Sequence, residues 1–312
     1  MIDCSTTTFN GSALLHPVDR PAPRSSQLST VADTERALAD TGYLADRGLA
    51  TAILVALQLG RPLLLEGEPG VGKTMLAEAL TQMCDAELIR LQCYEGIESS
   101  QALYDWDFPR QLLAARSMSD SGEDYRGLYT PEFLLERSLL RALRLGSRAV
   151  LLIDELDRAD DEFEAFLLEF LSDFAVTVPE IGRVSAPDPP IVVITSNRTR
   201  ELHDALTRRC LYHWIDYPDV EREVAIISMH VPDAAGELAR SVAETTARMR
   251  SLDLLKPPGA AESIDWTRAL RAVGVQSLRQ NAELGRATLG AVAKNRDDLR
   301  RLDGLMDELV NE

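Results

Sequence analysis

The chain has 312 residues, of which 45% are hydrophobic and 27% are charged, a composition typical of globular proteins with a sizeable core. Its formal net charge of −17 opposes attraction to phosphate backbones, so general binding to nucleic acid is not expected. No apolar run reaches the ~18 residues that span a membrane, and the N-terminus lacks the basic-then-apolar order of a secretory signal. We therefore expect a cytoplasmic protein without a membrane span.

The cysteines and histidines give no sign of a metal cluster. Cys4, Cys84, Cys93 and Cys210 are scattered without a CxxC pair, which favours free thiols in a reducing compartment. The four histidines form no HxxxH or similar group. Metal ligation beyond magnesium is therefore not expected.

The N-terminal segment is rich in Ser, Thr and Pro and has no sustained apolar period, which predicts a disordered arm over residues 1–32. Apolar spacing of the helical kind predicts helices over 33–59, 74–84, 131–145 and 162–174. Short apolar runs predict strands over 62–65, 87–92, 149–153, 191–195 and 211–215. A hairpin is predicted over 176–190, where two short apolar stretches flank a turn.

The order of these elements predicts an α/β fold with a parallel sheet and helices on both faces over residues 33–218. No strand signal remains after Pro218, and the helical pattern that follows is interrupted at 257–259. We therefore expect a second, all-helical domain over residues 219–312.

A glycine-rich loop after the first predicted strand matches G-x-x-x-x-G-K-[ST]. The loop and the first residue after it, taken as the nucleotide-binding residues, are Gly67, Glu68, Pro69, Gly70, Val71, Gly72, Lys73, Thr74 and Met75. Glycines permit backbone N–H groups to approach phosphate oxygens, and the following helix directs its positive end at the anion. The Lys73 amine can reach the β- and γ-phosphates, and the Thr74 hydroxyl can bind Mg²⁺. A plain strand-to-helix turn is the alternative.

An acidic pair, Asp154 and Glu155, directly follows the apolar strand at 149–153. A buried parallel strand places such carboxylates at the sheet edge where ligands bind. Asp154 is expected to hold Mg²⁺ and Glu155 to polarise the attacking water. The alternative is an acidic turn of the kind common in α/β proteins.

Three further positions are candidates for the chemistry of phosphate transfer. Asn197 follows the strand at 191–195 and could orient the water beside Glu155, although Asn is also common in turns. Arg208 and Arg209 could stabilise charge on the γ-phosphate, including that of a neighbouring subunit; an exposed basic helix end is the alternative. Arg268 is a third candidate arginine, in the predicted helical domain.

Taken in this order, the motifs resemble those of AAA+ ATPases of the MoxR family. The loop resembles Walker A, residues 151–155 resemble Walker B, and residues 195–197 resemble sensor 1. Arg208 and Arg209 stand where the family places its arginine finger, and Arg268 stands where sensor 2 is expected, in a context that departs from the usual Ser/Pro-Arg. Residues 103–112 and 210–218 resemble the CoxD-like branch.

This resemblance implies a P-loop αβα sandwich with a small helical lid, assembled as a hexameric ring with ATP between subunits. It implies that an insert over 95–118 and the hairpin at 176–190 face the pore or a partner. Separately, the position of Gln92 at the end of the second predicted strand suggests that it holds Glu155 in an inactive pose. The branch implies maturation of a metalloenzyme, such as a molybdenum hydroxylase, together with a partner that carries a von Willebrand factor A domain.

The leading hypothesis is therefore an Mg²⁺-dependent ATPase that remodels a partner protein. A motor acting on DNA or in proteolysis is the first alternative, which the net charge and the lack of a protease pattern disfavour. The second is a nucleotide switch with little turnover, which the intact Asp154 and Glu155 pair disfavours.

Overall fold

The computed structural model describes residues 28–121, 128–179, 181–234 and 236–311. Its strands are β1 (Leu63–Gly67), β2 (Glu87–Gln92), β3 (Tyr104–Trp106), β4 (Leu134–Glu136), β5 (Ala149–Asp154), β6 (Ala175–Val178), β7 (Gly182–Ser185), β8 (Ile191–Ser196) and β9 (Leu211–Ile215). Five of them form a parallel sheet in the order β2-β5-β8-β1-β9. Most of the predicted arm lies outside the described residues.

Helices cover the sheet and form the C-terminal part of the chain. They are α1 (Val31–Asp40), α2 (Arg47–Leu59), α3 (Lys73–Cys84), α4 (Ser99–Leu103), α5 (Phe108–Ser121), α6 (Ser138–Leu145), α7 (Asp161–Asp173), α8 (Asp204–Thr207), α9 (Val220–His230), α10 (Glu237–Arg250), α11 (Ala260–Ala272), α12 (Ala282–Ala287) and α13 (Arg296–Asn311). The predicted fold class, a parallel sheet with flanking helices followed by a helical region, is confirmed.

The three central strands of the sheet, β5, β8 and β1, are buried on both faces, which is why they are nearly continuous apolar runs. Successive side chains alternate between the faces. Leu64 and Leu151 belong to one core beneath α6 and α7, whereas Leu65 and Leu152 belong to a second core beneath α2 and α3. Every residue of β5 is buried, so the carboxylate that ends this strand is delivered from a rigid element.

The helical stretch predicted over 33–59 consists of two helices, α1 and α2, separated by a short loop. Gly42 adopts φ +87°, a left-handed conformation that ends the first helical segment. The Asp46 side chain then accepts a hydrogen bond from the Leu49 N–H and begins α2. The loop between them buries Tyr43 next to the phosphate loop.

The helix predicted over 131–145 is wrong in its first half. Residues Pro131–Phe133 form a 3₁₀ turn, Leu134–Glu136 is a strand, and the helix begins only at Ser138. This strand pairs antiparallel with Tyr104–Trp106, so the partner that determines its conformation lies about 30 residues earlier in the chain. The hairpin predicted near 176–190 is present as antiparallel β6 and β7.

The C-terminal helices α9 to α13 have a core of their own, which includes Trp266, Leu270 and Met306. Arg222 of α9 connects this region to the loop before α2, through Asp46 at 2.8 Å and the Leu44 carbonyl at 2.8 Å. None of the helices that the structure describes is long and apolar enough to span a membrane. Cys84, Cys93 and Cys210 are buried free thiols.

Candidate functional site

A cavity of about 310 Å³ lies between the carboxyl edge of the sheet and the C-terminal helices. The residues of the sequence motifs that line it are Pro69, Gly70, Val71, Gly72, Lys73, Thr74, Met75, Asp154, Glu155 and Asn197. The structure therefore brings the glycine-rich loop, the acidic pair and the Asn197 position to one place.

The loop presents Lys73 at the first turn of α3. Its side chain is buried, and the amine donates hydrogen bonds to the carbonyls of Gly67 at 2.6 Å and Glu68 at 2.8 Å. Burial lowers the pKa of Lys73, and the carboxylates of Asp157 and Glu68 partly offset this effect. Phosphate oxygens can replace these carbonyls, because both accept hydrogen bonds and the phosphate oxygens also carry negative charge.

Asp154 is almost completely buried and is held by two hydroxyl groups. Thr195 Oγ1 donates to Asp154 Oδ1 at 2.6 Å, and Thr74 Oγ1 lies 3.3 Å from the same oxygen. The Thr195 hydroxyl also accepts the Glu155 N–H at 2.9 Å. Residues from three separate elements, α3, β5 and β8, thus meet at one carboxylate.

Glu155 sits in the turn after β5 with φ +55°. Its carboxylate accepts a hydrogen bond from Gln92 Nε2 at 3.0 Å and lies 3.5 Å from Arg158 Nε. The contact with Gln92 that the sequence suggested is therefore present. Gln92 also links to a residue that sequence reasoning did not single out: Arg90, on the same face of β2, donates to Gln92 Oε1 at 2.7 Å and to Asp154 Oδ2 at 2.6 Å.

The candidate arginines lie away from this cavity. Arg268 on α11 is exposed, does not line the cavity and pairs with Asp265 at 3.2 Å. Arg208 and Arg209 follow the short helix α8 at the opposite, amino edge of β1. Arg209 Nη1 donates to the Leu168 carbonyl at 2.9 Å, whereas no partner engages the Arg208 guanidinium among the described residues.

The segment with these arginines is fastened to the sheet by Arg61, which shortly precedes β1. Its guanidinium donates to the carbonyls of Arg208 at 2.7 Å, Arg209 at 3.0 Å and Cys210 at 3.4 Å. One rigid guanidinium group therefore fixes three successive backbone positions.

Half of the cavity wall was not predicted. This half is mostly apolar and combines the loop before α2, the end of β9, and residues of α9 and α11. It comprises Gly42, Tyr43, Leu44, Ile215, Asp216, Pro218, Arg222, Ile226, His230, Ala260, Ala261 and Ile264. An apolar wall beside a phosphate-binding loop can receive a flat aromatic base. The residues of α9, α11 and the loop before α2 belong to no motif, and the resemblance noted for residues 210–218 gave that stretch no role in nucleotide binding.

The C-terminal helices touch the loop directly through two glycines. Gly70 has φ +79°, and the backbone of Gly259, at the start of α11, packs against it so closely that a Cβ on Gly259 would lie 2.6 Å from the Gly70 carbonyl carbon. The Ala261 N–H points at the Gly70 carbonyl at 3.4 Å. A rearrangement of the phosphate loop at Gly70 would therefore also displace the start of α11.

The donor set fits Mg²⁺–ATP. Mg²⁺ is usually held by one or two protein oxygens together with substrate phosphates, and Thr74 and Asp154 supply such oxygens beside the loop. Among the described residues, no three His, Cys, Asp or Glu side chains form a cluster suited to a metal ion.

Comparison with known proteins agrees with this geometry. Residues 63–215 match the family described as "ATPase family associated with various cellular activities (AAA)". This segment is similar to AAA ATPase domains, a similarity that indicates ATP hydrolysis in general.

The chain is 25% identical over 332 residues to the uncharacterized protein YehL of Escherichia coli strain K12, covering 93% of this chain and 86% of that protein. It is 29% identical over 150 residues to midasin of Giardia intestinalis, covering 47% of this chain but only 3% of midasin. A mutant of RuvB from Thermotoga maritima is similar in fold, with a TM-score of 0.50 and 17% identity over 91% of this chain and 79% of the RuvB chain.

Proposed function

We propose that this chain binds ATP with Mg²⁺ in the cavity above the sheet and hydrolyses it. One observation carries the proposal: Lys73, Thr74, Asp154, Glu155 and Asn197, which come from three separate stretches of sequence, line one cavity. The AAA domain that contains them supports the same reaction.

The proposed roles follow from the contacts. Lys73 binds the β- and γ-phosphates, and Thr74 and Asp154 hold Mg²⁺, which when bound neutralises phosphate charge. Asn197 orients a water molecule. The water oxygen attacks the γ-phosphorus while Glu155 accepts a proton from the same water. The bond between the γ-phosphorus and the bridging oxygen breaks, and ADP leaves with the electron pair.

Two substitutions test these roles. Lys73→Ala should weaken ATP binding about tenfold or more, because it removes a charged hydrogen-bond donor. Glu155→Gln should retain ATP binding and lower turnover about 100-fold or more, because the amide cannot accept the proton. Equilibrium binding and steady-state phosphate release measure the two effects. Glu169→Gln, at an exposed position on α7, is the matched control, and unchanged turnover in Glu155→Gln would contradict the role of Glu155.

Gln92 is proposed to restrain this reaction. Its amide holds the Glu155 carboxylate at 3.0 Å, so turnover requires this hydrogen bond to be exchanged for one to water. A partner that displaces β2 would release Glu155. Basal turnover is then expected to be slow and to rise when a partner binds.

The work done by this ATPase is proposed to be the remodelling or maturation of a partner protein in the cytoplasm, as in the MoxR family. The insert between β2 and β5 supports a docking role, because Phe108, Leu112 and Leu113 on α5 expose 62%, 58% and 66% of their surface. A protein with a von Willebrand factor A domain is the proposed partner, and a metalloenzyme such as a molybdenum hydroxylase is the proposed client. Capture with the Glu155→Gln variant in ATP would test both, and recovery of neither class would count against this assignment.

A ring of identical subunits, proposed to be a hexamer, completes the site. Arg208 or Arg209 of one subunit would stabilise charge on the γ-phosphate bound to the next. Arg208 is favoured, because the Arg209 guanidinium is already engaged by the Leu168 carbonyl. Arg268 is retained as a candidate contact only in a state where its pairing with Asp265 is broken.

A further inference from the structure

Asp154, the proposed magnesium ligand, already has a cation beside it. Arg90 Nη2 lies 2.6 Å from Asp154 Oδ2, an ion pair in which the carboxylate is buried and the arginine side chain is 53% exposed. The other oxygen, Oδ1, accepts from Thr195 and faces Thr74. Arg90 therefore engages the carboxylate oxygen that the hydroxyl groups leave free.

The backbone of Arg90 is fixed, whereas its side chain can move. Arg90 is paired within β2 against β5, and its carbonyl accepts a hydrogen bond from Ser138 Oγ at the start of α6. The guanidinium reaches forward along the strand to Gln92 and Asp154 and has solvent on its other side. It can therefore leave Asp154 for water without any change in the sheet.

We propose that Arg90 competes with Mg²⁺ for the Asp154 carboxylate and thereby sets the magnesium concentration at which the nucleotide binds tightly. This inference rests on the proposed function. A divalent cation that approaches Asp154 meets a positive charge already paired with its ligand, so binding must include displacement of the guanidinium. Removal of that charge leaves a buried carboxylate with hydroxyl partners only and raises its attraction for Mg²⁺.

The test follows binding of a fluorescent, non-hydrolysable ATP analogue to EDTA-treated protein while MgCl₂ is raised from zero. The Mg²⁺ concentration at half-maximal gain in affinity is the readout, so no turnover is needed. Arg90→Met is expected to lower this concentration about three- to tenfold, the effect of removing one charge at a half-exposed site. Arg90→Lys retains the charge and should stay within about twofold of the unchanged chain.

Arg141→Gln is the matched control, because Arg141 pairs with Glu87, another residue of β2, at the opposite end of the strand. It should leave the magnesium midpoint unchanged. Competition by charge is overturned if the magnesium midpoint of Arg90→Met is the same as, or higher than, that of the unchanged chain. It is also overturned if Arg90→Lys lowers the magnesium midpoint as much as Arg90→Met does. Absence of any nucleotide binding by the unchanged chain would instead overturn the proposed function, so the two failures are distinguishable.

Discussion

The Thr195 hydroxyl organises the acidic pair more closely than any motif suggests. It donates to the Asp154 carboxylate and accepts the Glu155 N–H, so one side chain on β8 fixes both the side chain of one acidic residue and the backbone of the next. Glu155 needs this support because φ +55° is unfavourable for a residue with a Cβ. With this backbone conformation, Glu155 lines the cavity and its carboxylate accepts the hydrogen bond from Gln92.

The contact between Gly70 and Gly259 gives a prediction at the same scale. Gly259→Ala should lower the free energy of unfolding by about 1–3 kcal/mol and weaken nucleotide binding, because its Cβ would lie 2.6–2.7 Å from backbone atoms of Gly70. Its φ of −87° suits alanine, so the effect is steric. Denaturant unfolding and equilibrium binding measure both changes.

Gly304→Ala is the control for this substitution. Gly304 lies within α13, and a Cβ added there would meet open space, so alanine at this position should raise stability by about 0.5–1 kcal/mol. Equal effects of the two substitutions would contradict the steric explanation.

Individual site residues were predictable where a motif and a strand end coincide. Asp154 ends an apolar strand, Lys73 and Asn197 come after one, and the carboxyl ends of parallel strands share one edge. The apolar wall was not predictable, because Tyr43 and Ile264 reach the cavity only through the packing of helices distant in sequence. Arg90 was missed for a related reason: a lone arginine in a strand has no pattern that distinguishes it from a surface residue.

Among the secondary-structure elements, the sheet strands were predicted with nearly correct bounds. For the three central strands the reason is burial on both faces, which produces nearly continuous apolar runs. The short strand Leu134–Glu136 was not predicted as a strand. Its apolar residues fit a helical period as well as a strand, and only pairing with Tyr104–Trp106 decides between them. Local periodicity cannot report a partner that lies far away in the chain.

The C-terminal helices are joined by a buried ion pair. Arg250 on α10 contacts both carboxylate oxygens of Glu223 on α9, at 2.7 and 2.6 Å, and Ser263 on α11 donates to the same carboxylate at 2.6 Å. Glu223 is fully buried, and Arg250 also packs over the ring of Tyr217. Three helices thus share one charged contact next to the nucleotide cavity.

Glu223→Gln should therefore destabilise the helical region by about 3–5 kcal/mol, because it leaves the Arg250 charge buried without a counter-ion. Urea unfolding followed by tryptophan fluorescence, to which the buried Trp266 of this region contributes, measures the loss. Arg286→Gln is the control; Arg286 pairs with Asp307 at the surface, so its removal should cost at most about 1 kcal/mol. Similar losses for the two variants would argue against a special role for the buried pair.

At the scale of the whole molecule, the proposed action of the arginines between subunits rests on where they lie. The loop that holds Arg208 and Arg209 is fastened at the amino edge of β1, whereas the cavity lies at the carboxyl edge of the same sheet. Neither arginine lines the cavity of its own chain. In the proposed ring, these arginines would approach the γ-phosphate bound to a second copy of the chain placed beside the first.

Subunit mixing tests this arrangement. Arg208→Ala alone should reduce turnover about tenfold or more while ATP affinity is retained. A mixture of Arg208→Ala and Glu155→Gln subunits should recover part of the activity, since some neighbouring pairs combine an intact Glu155 with an intact Arg208. Steady-state phosphate release measures recovery. No recovery, or a monomer by light scattering in ATP and Mg²⁺, would contradict a shared site.

The attachment of Arg61 to the arginine loop has a consequence for how such a ring could move. Arg61 holds this loop at one end of β1, and the phosphate loop begins at the other end of the same buried strand. A fully buried, five-residue strand transmits displacement with little bending, so the two ends travel together. In the proposed ring, the distance between Arg208 and the nucleotide of the next subunit would then change when one entire AAA domain tilts against the next. Bending inside a single domain would change this distance very little.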